Sequence, residues 1–155
     1  MFNVTRAVIL DYSSNILIEN LDISYTNNAA IKIRYNSTSN TVQNSTISYT
    51  GRSDPANGEG IYIGASINFW QERGPDCSSD NQVLSNHFGP YVSSESIDIK
   101  EGVERILVQD NVIDGKGMQD DNYSNTWISV KGSKCVIKGN YGKSSVLDGF
   151  TVSLK

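Results

Sequence analysis

Residues 93–102 read SSESIDIKEG, and this stretch contains the pattern that decides the fold. Its two isoleucines, Ile97 and Ile99, alternate with polar residues. Alternation with a period of two is typical of a β-strand that buries one face. We therefore expect a short strand whose isoleucines face a core and whose charged residues, Asp98 and Lys100, face outward.

The same short strand recurs along the whole chain. If the first core residue of each copy is equivalent, the copies are marked by Val8, Ile31, Ile61, Ile97, Ile128 and Phe150. The spacing between them indicates a repeat of about 22 residues with insertions in the turns. A second strand in each copy has an apolar residue two places before a polar turn residue or glycine, in the pairs Ile18 and Asn20, Val42 and Asn44, Leu84 and Asn86, Val108 and Asp110, and Ile137 and Gly139.

Short strands at this period can coil, because each turn then pairs with the next at about 4.8 Å. The repeat resembles the right-handed parallel β-helix of the pectate-lyase-like superfamily. The resemblance implies an all-β fold, a β-solenoid of about five to six coils with short polar turns and an Asn ladder. We expect a single domain over residues 1–155, either a fragment or a short member without end caps. Its open ends would favour self-association through unpaired strand edges.

Composition and charge restrict the function classes. The net charge of -4 and the pI of about 4.9 disfavour a nucleic-acid partner, since no row of cations could neutralise phosphates. No stretch is apolar enough for a membrane span, so no membrane partner is expected. Four Asn-x-Ser/Thr triplets begin at Asn3, Asn36, Asn44 and Asn122. Together with the polar β composition, these glycosylation motifs favour a secreted or cell-surface protein. The alternative is that a chain rich in Asn, Ser and Thr produces such triplets by chance. Cys77 and Cys135 could be bridged or free.

Two glutamates are expected to meet on neighbouring coils. Glu59 and Glu95 each lie two residues before a marker isoleucine, so stacking places them about 4.8 Å apart. Two carboxylates at this distance repel unless they share a proton or a cation, and Ca²⁺ prefers oxygen ligands. The pair is therefore a candidate Ca²⁺ site. The alternative is that both side chains diverge into solvent.

Two lysines are expected side by side on the outward face. Lys100 and Lys131 each lie three residues after a marker isoleucine, as Arg34 does on an earlier coil. Mutual repulsion would lower the pKa of one lysine and make it a general base. Alternatively, both are solvated surface lysines that Asp98 and Glu101 neutralise in a surface network.

The central outward row contains candidates for binding sugar. It comprises Lys32, Tyr62, Asp98, Ser129 and Thr151. An aromatic ring beside a hydroxyl acceptor, as Tyr62 and Asp98 provide, suits a polysaccharide, whether anionic or neutral. We count Lys32 and Arg34 with this candidate surface. A purely structural pair across the coils is the alternative.

Within the superfamily, the residues resemble those of alginate lyase and chondroitinase B type polysaccharide lyases. Glu95 and Lys100 match the spacing of a Ca²⁺-binding glutamate and a lysine base, and Lys131 lies where those enzymes have an arginine. Ser93 and Gly132 differ from the acidic ligand and the histidine expected there. The resemblance implies Ca²⁺-assisted β-elimination of a uronic-acid polymer, with Lys100 and Lys131 catalytic. Hydrolysis by paired carboxylates and a non-catalytic adhesion or structural module are the alternatives.

Overall fold

The computed structural model describes residues 4–119 and 126–153, which form sixteen short strands and a single α-helix. The strands are β1 (Val8–Asp11), β2 (Leu17–Glu19), β3 (Asp22–Ser24), β4 (Ile31–Arg34), β5 (Thr41–Gln43), β6 (Thr46–Ser48), β7 (Ile61–Ile63), β8 (Gln82–Leu84), β9 (His87–Phe88), β10 (Ile97–Ile99), β11 (Leu107–Gln109), β12 (Val112–Asp114), β13 (Thr126–Val130), β14 (Val136–Lys138), β15 (Tyr141–Lys143) and β16 (Asp148–Val152). The helix is α1 (Trp70–Arg73), and 3-10 turns span Pro55–Asn57 and Ile67–Phe69.

Three parallel sheets wind around one core. The first sheet has the order β1-β4-β7-β10-β13-β16, the second β14-β11-β8-β5-β2 and the third β15-β12-β9-β6-β3. Each strand pairs with its equivalent one coil away, because the repeat returns the chain to the same sheet once per coil. The fold is a right-handed parallel β-helix, which confirms the fold class predicted from the repeat.

The core is a set of stacked apolar rows. In the first sheet, Ile61 pairs in register with Ile31 on one side and Ile97 on the other, and all three are fully buried. In the second sheet the inward row is Ile18, Val42, Val83, Val108 and Ile137. The prediction of Leu84 in this row was wrong by one residue. Val83 fills the position and is fully buried, whereas Leu84 is half-buried.

Polar ladders stabilise the turns beside this core. The left-handed turn residue after the second strand is Asn20, Asn44, Ser85, Asp110 and Gly139 in successive coils, so Asn86 does not belong to that ladder as predicted. Asn86 is buried one position later, where its amide side chain donates to Oδ1 of Asn111 at 3.1 Å. Asn111 donates in turn to Asn140 at 2.8 Å. This buried row satisfies backbone groups that no strand partner reaches.

Two turn insertions rise beside the first sheet. One contains the 3-10 turn Pro55–Asn57, and the other contains the turn Ile67–Phe69 followed by α1. The indole of Trp70 donates to the carbonyl of Ala65 at 3.2 Å, which fixes the second insertion against the column. The described part of the chain contains no helix long and apolar enough to cross a membrane. Cys77 and Cys135 are both free.

The last described coil is open. Phe150 and Val152 on β16 are 51% and 71% exposed, since no further described strand pairs beyond them. Self-association through such an edge stays a prediction.

Candidate functional site

The outward row of the first sheet lines a cavity of about 580 Å³. The strand register places Lys32 beside Tyr62, Tyr62 beside Asp98 and Asp98 beside Ser129, as the repeat predicted. The cavity is walled by the two insertions, which contribute Asn57 and Phe69. The polar side chains of the outward row therefore lie together in one groove, where each needs a partner because burying an unpaired polar group is costly.

Asp98 lies at the centre of this groove and is 1% exposed. Its Oδ1 accepts from Nζ of Lys131 at 2.9 Å, and its Oδ2 pairs with Nζ of Lys100. Burial alone would lower the pKa of Lys100, but Asp98 and the nearby Tyr62 outweigh it, and the net pKa is raised. The expected lowering by lysine repulsion is therefore wrong for Lys100, because a carboxylate lies between the two ammonium groups.

Three buried carboxylates meet beneath the lysines. Glu59, Glu95 and Asp98 each place one oxygen within 4.8 Å of the others, so the predicted approach of the two glutamates occurs and Asp98 joins them. Oε2 of Glu95 accepts from the hydroxyl of Ser94 at 2.6 Å. Oε2 of Glu59 is buried and has no hydrogen-bond partner among the described residues.

The pKa values of two of these carboxyl groups are raised. Burial, with Asp98 and Glu95 adding to it against the attraction of Lys32, raises the pKa of Glu59 to about 7. The pKa of Glu95 is also raised, by burial and by Asp98. The cluster therefore holds a proton on Glu59 at mildly acidic pH, and a bound cation could replace that proton.

Tyr62 stands between two cations. Its ring centroid is 4.3 Å from Nζ of Lys32 and 4.9 Å from Nζ of Lys100. Its hydroxyl oxygen accepts from the backbone N–H of Ser66 at 3.2 Å. Burial raises the pKa of Tyr62, while Lys100 opposes the rise. The phenol is thus held in a fixed position, with positive charge next to it.

A second cavity of about 380 Å³ continues the groove towards the first coils. Asn57, Tyr62 and Phe69 line both cavities, so the two join at Tyr62. Four cations line the second cavity, and Arg34 among them is held by Asp11 through two hydrogen bonds of 3.0 and 2.9 Å. The four are Arg6, Lys32, Arg34 and Arg73, and the acidic residues Asp54 and Glu72 line the cavity with them.

All eight residues singled out from the sequence thus lie along one groove: Lys32, Arg34, Glu59, Tyr62, Glu95, Asp98, Lys100 and Lys131. Their chemical roles stay predictions. Sequence analysis missed Arg6, Asn57 and Arg73, which lie outside the repeated strands. The nearest signal in the sequence is the insertion over 67–80, where Phe69 and Trp70 are aromatic residues outside the repeated strands.

Comparison with known proteins gives one structural relative. The sequence matches no protein-family model and no curated protein. Among solved structures, the alginate lyase from Paenibacillus sp. str. FPU-7 is similar, with a TM-score of 0.87 and 31% sequence identity. The similarity covers 90% of this chain but 48% of that enzyme, so the chain spans about half the length of its relative. In fold and sequence the chain is therefore similar to a polysaccharide lyase, and to that extent the predicted resemblance is confirmed.

Proposed function

We propose that this chain binds a uronic-acid polymer in its groove and cleaves it by β-elimination. The observation that carries the proposal is the position of Tyr62, a buried phenol that faces the groove between the ammonium groups of Lys32 and Lys100. A general acid or base needs a fixed position and a charged neighbour that tunes its proton affinity. The similarity to an alginate lyase supports the same class of reaction.

Elimination needs a base for the proton on the carbon next to the substrate carboxylate, and an acid for the leaving oxygen. Tyr62 could serve both steps. As a phenolate, which Lys100 favours against the rise in the pKa of Tyr62 that burial causes, it would take the proton from that carbon while the bond to the leaving oxygen breaks and a carbon–carbon double bond forms. The phenol would then pass the same proton to the leaving oxygen. Protons and electrons balance, and the products are one unsaturated and one ordinary sugar end.

Lys100 and Lys131 are better suited to hold charge than to remove a proton. Each ammonium pairs with Asp98, and the raised pKa of Lys100 keeps its proton in place. We infer that the two lysines neutralise the substrate carboxylate as negative charge develops on it, which is the larger electrostatic demand of the reaction. Asp98 would hold both ammonium groups at the required position.

The carboxylate cluster has the chemistry of a Ca²⁺ site. Its donors are all oxygens, and Oε2 of Glu59 is buried without a partner among the described residues. Glu59 and Glu95 would hold the ion, with Asp98 shared between it and the lysines. A bound Ca²⁺ would supply positive charge beneath the groove. The steps above use Tyr62, Lys100 and Lys131 and are not routed through the ion.

An extracellular setting fits the proposal. Asn36 and Asn44, the two sequons within the described residues, are both exposed. We therefore propose that the protein is secreted or displayed on a cell surface, where a uronic-acid polymer would reach it.

The experiment compares the native protein with Tyr62→Phe on alginate, pectate and chondroitin, following the ultraviolet absorbance of the unsaturated product. We expect activity on at least one polymer and a loss of about 10²- to 10⁴-fold in Tyr62→Phe, the usual contribution of a general acid or base. Tyr49→Phe is the matched control, because Tyr49 stacks between Tyr25 and Tyr91 away from the groove. No product from any polymer, or full activity in Tyr62→Phe, would refute the proposal.

A further inference from the structure

The second cavity is lined by more cations than acids, since Arg6, Lys32, Arg34 and Arg73 outnumber Asp54 and Glu72. Among the described residues, no acidic side chain lies within ion-pairing distance of Arg6, Lys32 or Arg73. This contrasts with Lys100 and Lys131 in the first cavity, which both pair with Asp98. An excess of cations in a concave surface attracts anions more strongly than the same cations spread over a convex surface.

The environment of Lys32 would be stabilised by an anion in the cavity. The side chain is buried, and its ammonium lies over the ring of Tyr62. Burial lowers the pKa of Lys32; Glu59 opposes this, while Arg6, Arg34 and Lys100 lower the pKa further. A carboxylate entering the cavity would relieve this repulsion.

Tyr35 helps to orient the arginines. The guanidinium carbons of Arg34 and Arg73 lie 4.7 and 5.0 Å from the centroid of its ring. Arg34 already donates to Asp11, and Arg6 donates Nε to Asn28 at 3.1 Å. The guanidinium group of Arg73 makes no hydrogen bond to another described residue, so its N–H donors are available to a ligand in the cavity.

The opposite end of the groove has a different charge. The last two described coils line it with Thr126, Ser129, Lys131, Asp148, Thr151 and Ser153. Its single lysine is already paired with Asp98, and Asp148 adds a negative charge. Beyond the two lysines at the site of cleavage, a polyanion therefore gains electrostatic attraction on the side of Tyr62 that faces the first coils.

We propose that the second cavity binds the carboxylates of uronic-acid residues, so that the polymer is anchored on the side of Tyr62 that faces the first coils. The inference rests on the proposed function and deepens it. Arg6, Lys32 and Arg73 supply the charge, and the Tyr62 ring separates this anchoring subsite from the site of cleavage. Substrate bound on the far side would contact hydroxyls and Asp148 instead.

The test measures binding by calorimetry in the Tyr62→Phe background, so that cleavage does not consume the ligand. The probes are an alginate hexamer and cellohexaose, a neutral chain of the same length. Changing Arg6 and Arg73 together to glutamine should weaken hexamer binding by about tenfold or more and reduce its salt dependence, because charge-assisted hydrogen bonds are lost. Cellohexaose binding should not change. Lys138→Gln, an exposed lysine of the second sheet, is the matched control and should leave hexamer binding unchanged.

Arg73→Gln alone provides a milder variant, since Arg73 is exposed on α1 and its loss leaves the core intact. It should weaken hexamer binding several-fold without moving the melting temperature. Unchanged hexamer binding in the double variant, equal weakening of both probes, or no hexamer binding at all would overturn the inference. Binding that depends on Arg6 and Arg73, with no unsaturated product from the native protein, would support this subsite and refute the elimination reaction separately.

Discussion

Replacing Glu59 by glutamine should stabilise the protein at alkaline pH and leave its stability unchanged at acid pH. The carboxyl group is 3% exposed and lies beside Glu95 and Asp98. Its pKa rises from the ordinary 4.5 to about 7 on folding, so the folded state favours the protonated form. The stability that this proton contributes is complete below the unfolded pKa and is lost as pH rises through the folded pKa. Glutamine resembles the protonated acid at every pH.

The size of the effect follows from the shift in pKa. A rise from 4.5 to about 7 corresponds to about 3 kcal/mol of folding free energy, at 1.36 kcal/mol per pKa unit. The shift already includes the attraction of Lys32, which is among its causes. Glu59→Gln should therefore gain about 3 kcal/mol over the native protein at about pH 8 and close to nothing at about pH 4.

Urea unfolding followed by tryptophan fluorescence, with a chelator present, would measure this difference across the pH range. Glu72→Gln, on the exposed helix α1, is the control and should change stability little at either pH. A Glu59→Gln effect that is the same at both ends of the range would show that the carboxyl group does not carry the proton. Destabilisation at alkaline pH would refute the reasoning outright.

Two further predictions concern the same cluster and the core beneath it. Ca²⁺ should raise the melting temperature at about pH 8, and the stabilisation should be about 2.7 kcal/mol at a hundredfold excess over its dissociation constant. The rise should be smaller at about pH 5, where a proton occupies Glu59. Glu59→Gln should abolish the rise, and a melting temperature that Ca²⁺ leaves unchanged at alkaline pH would exclude the site. Ile97→Ala should cost about 2–5 kcal/mol by chemical denaturation, since its side chain is fully buried between Ile61 and Ile128. Ile9→Ala, at a position 45% exposed on β1, should cost far less, and equal losses would contradict the predicted row.

The repeat allowed the first sheet to be predicted almost residue by residue, because a period-two strand fixes which side chains face inward. The second sheet was harder. In the third coil both Val83 and Leu84 are apolar, and Ser85 takes the left-handed turn position where other coils have Asn, Asp or Gly. The marker was therefore assigned to Asn86, and the row was shifted by one residue. A pattern based on residue type cannot resolve such a shift when two neighbouring residues are both apolar enough for the inward position.

Part of the candidate site could likewise be predicted from the sequence and part could not. Stacking the coils predicted that Glu59 would approach Glu95, since backbone register alone sets that distance. It left open whether Asp98 would neutralise Lys100 and Lys131, because that depends on the lengths and rotamers of three side chains, and the structure shows that Asp98 pairs with both. The resulting pKa of Lys100 was consequently expected in the wrong direction. Burial and hydrogen bonding, which decide such shifts, are properties of the folded site.

The net charge of -4 disfavours a nucleic acid, which is a polyanion, yet the groove is suited to an anionic polymer. Screening resolves this conflict, because charges more than about 10 Å apart hardly interact at ordinary ionic strength. What a polymer meets is the local arrangement, in which the acids are buried under Lys100 and Lys131 while Arg6 and Arg73 have no acidic partner among the described residues. Those buried acids also hold Lys100 and Lys131 in place, and the attraction between Glu59 and Lys32 leaves an excess of cations in the second cavity. An acidic protein can therefore present a basic cavity, provided that cations outnumber acids among the residues that line it.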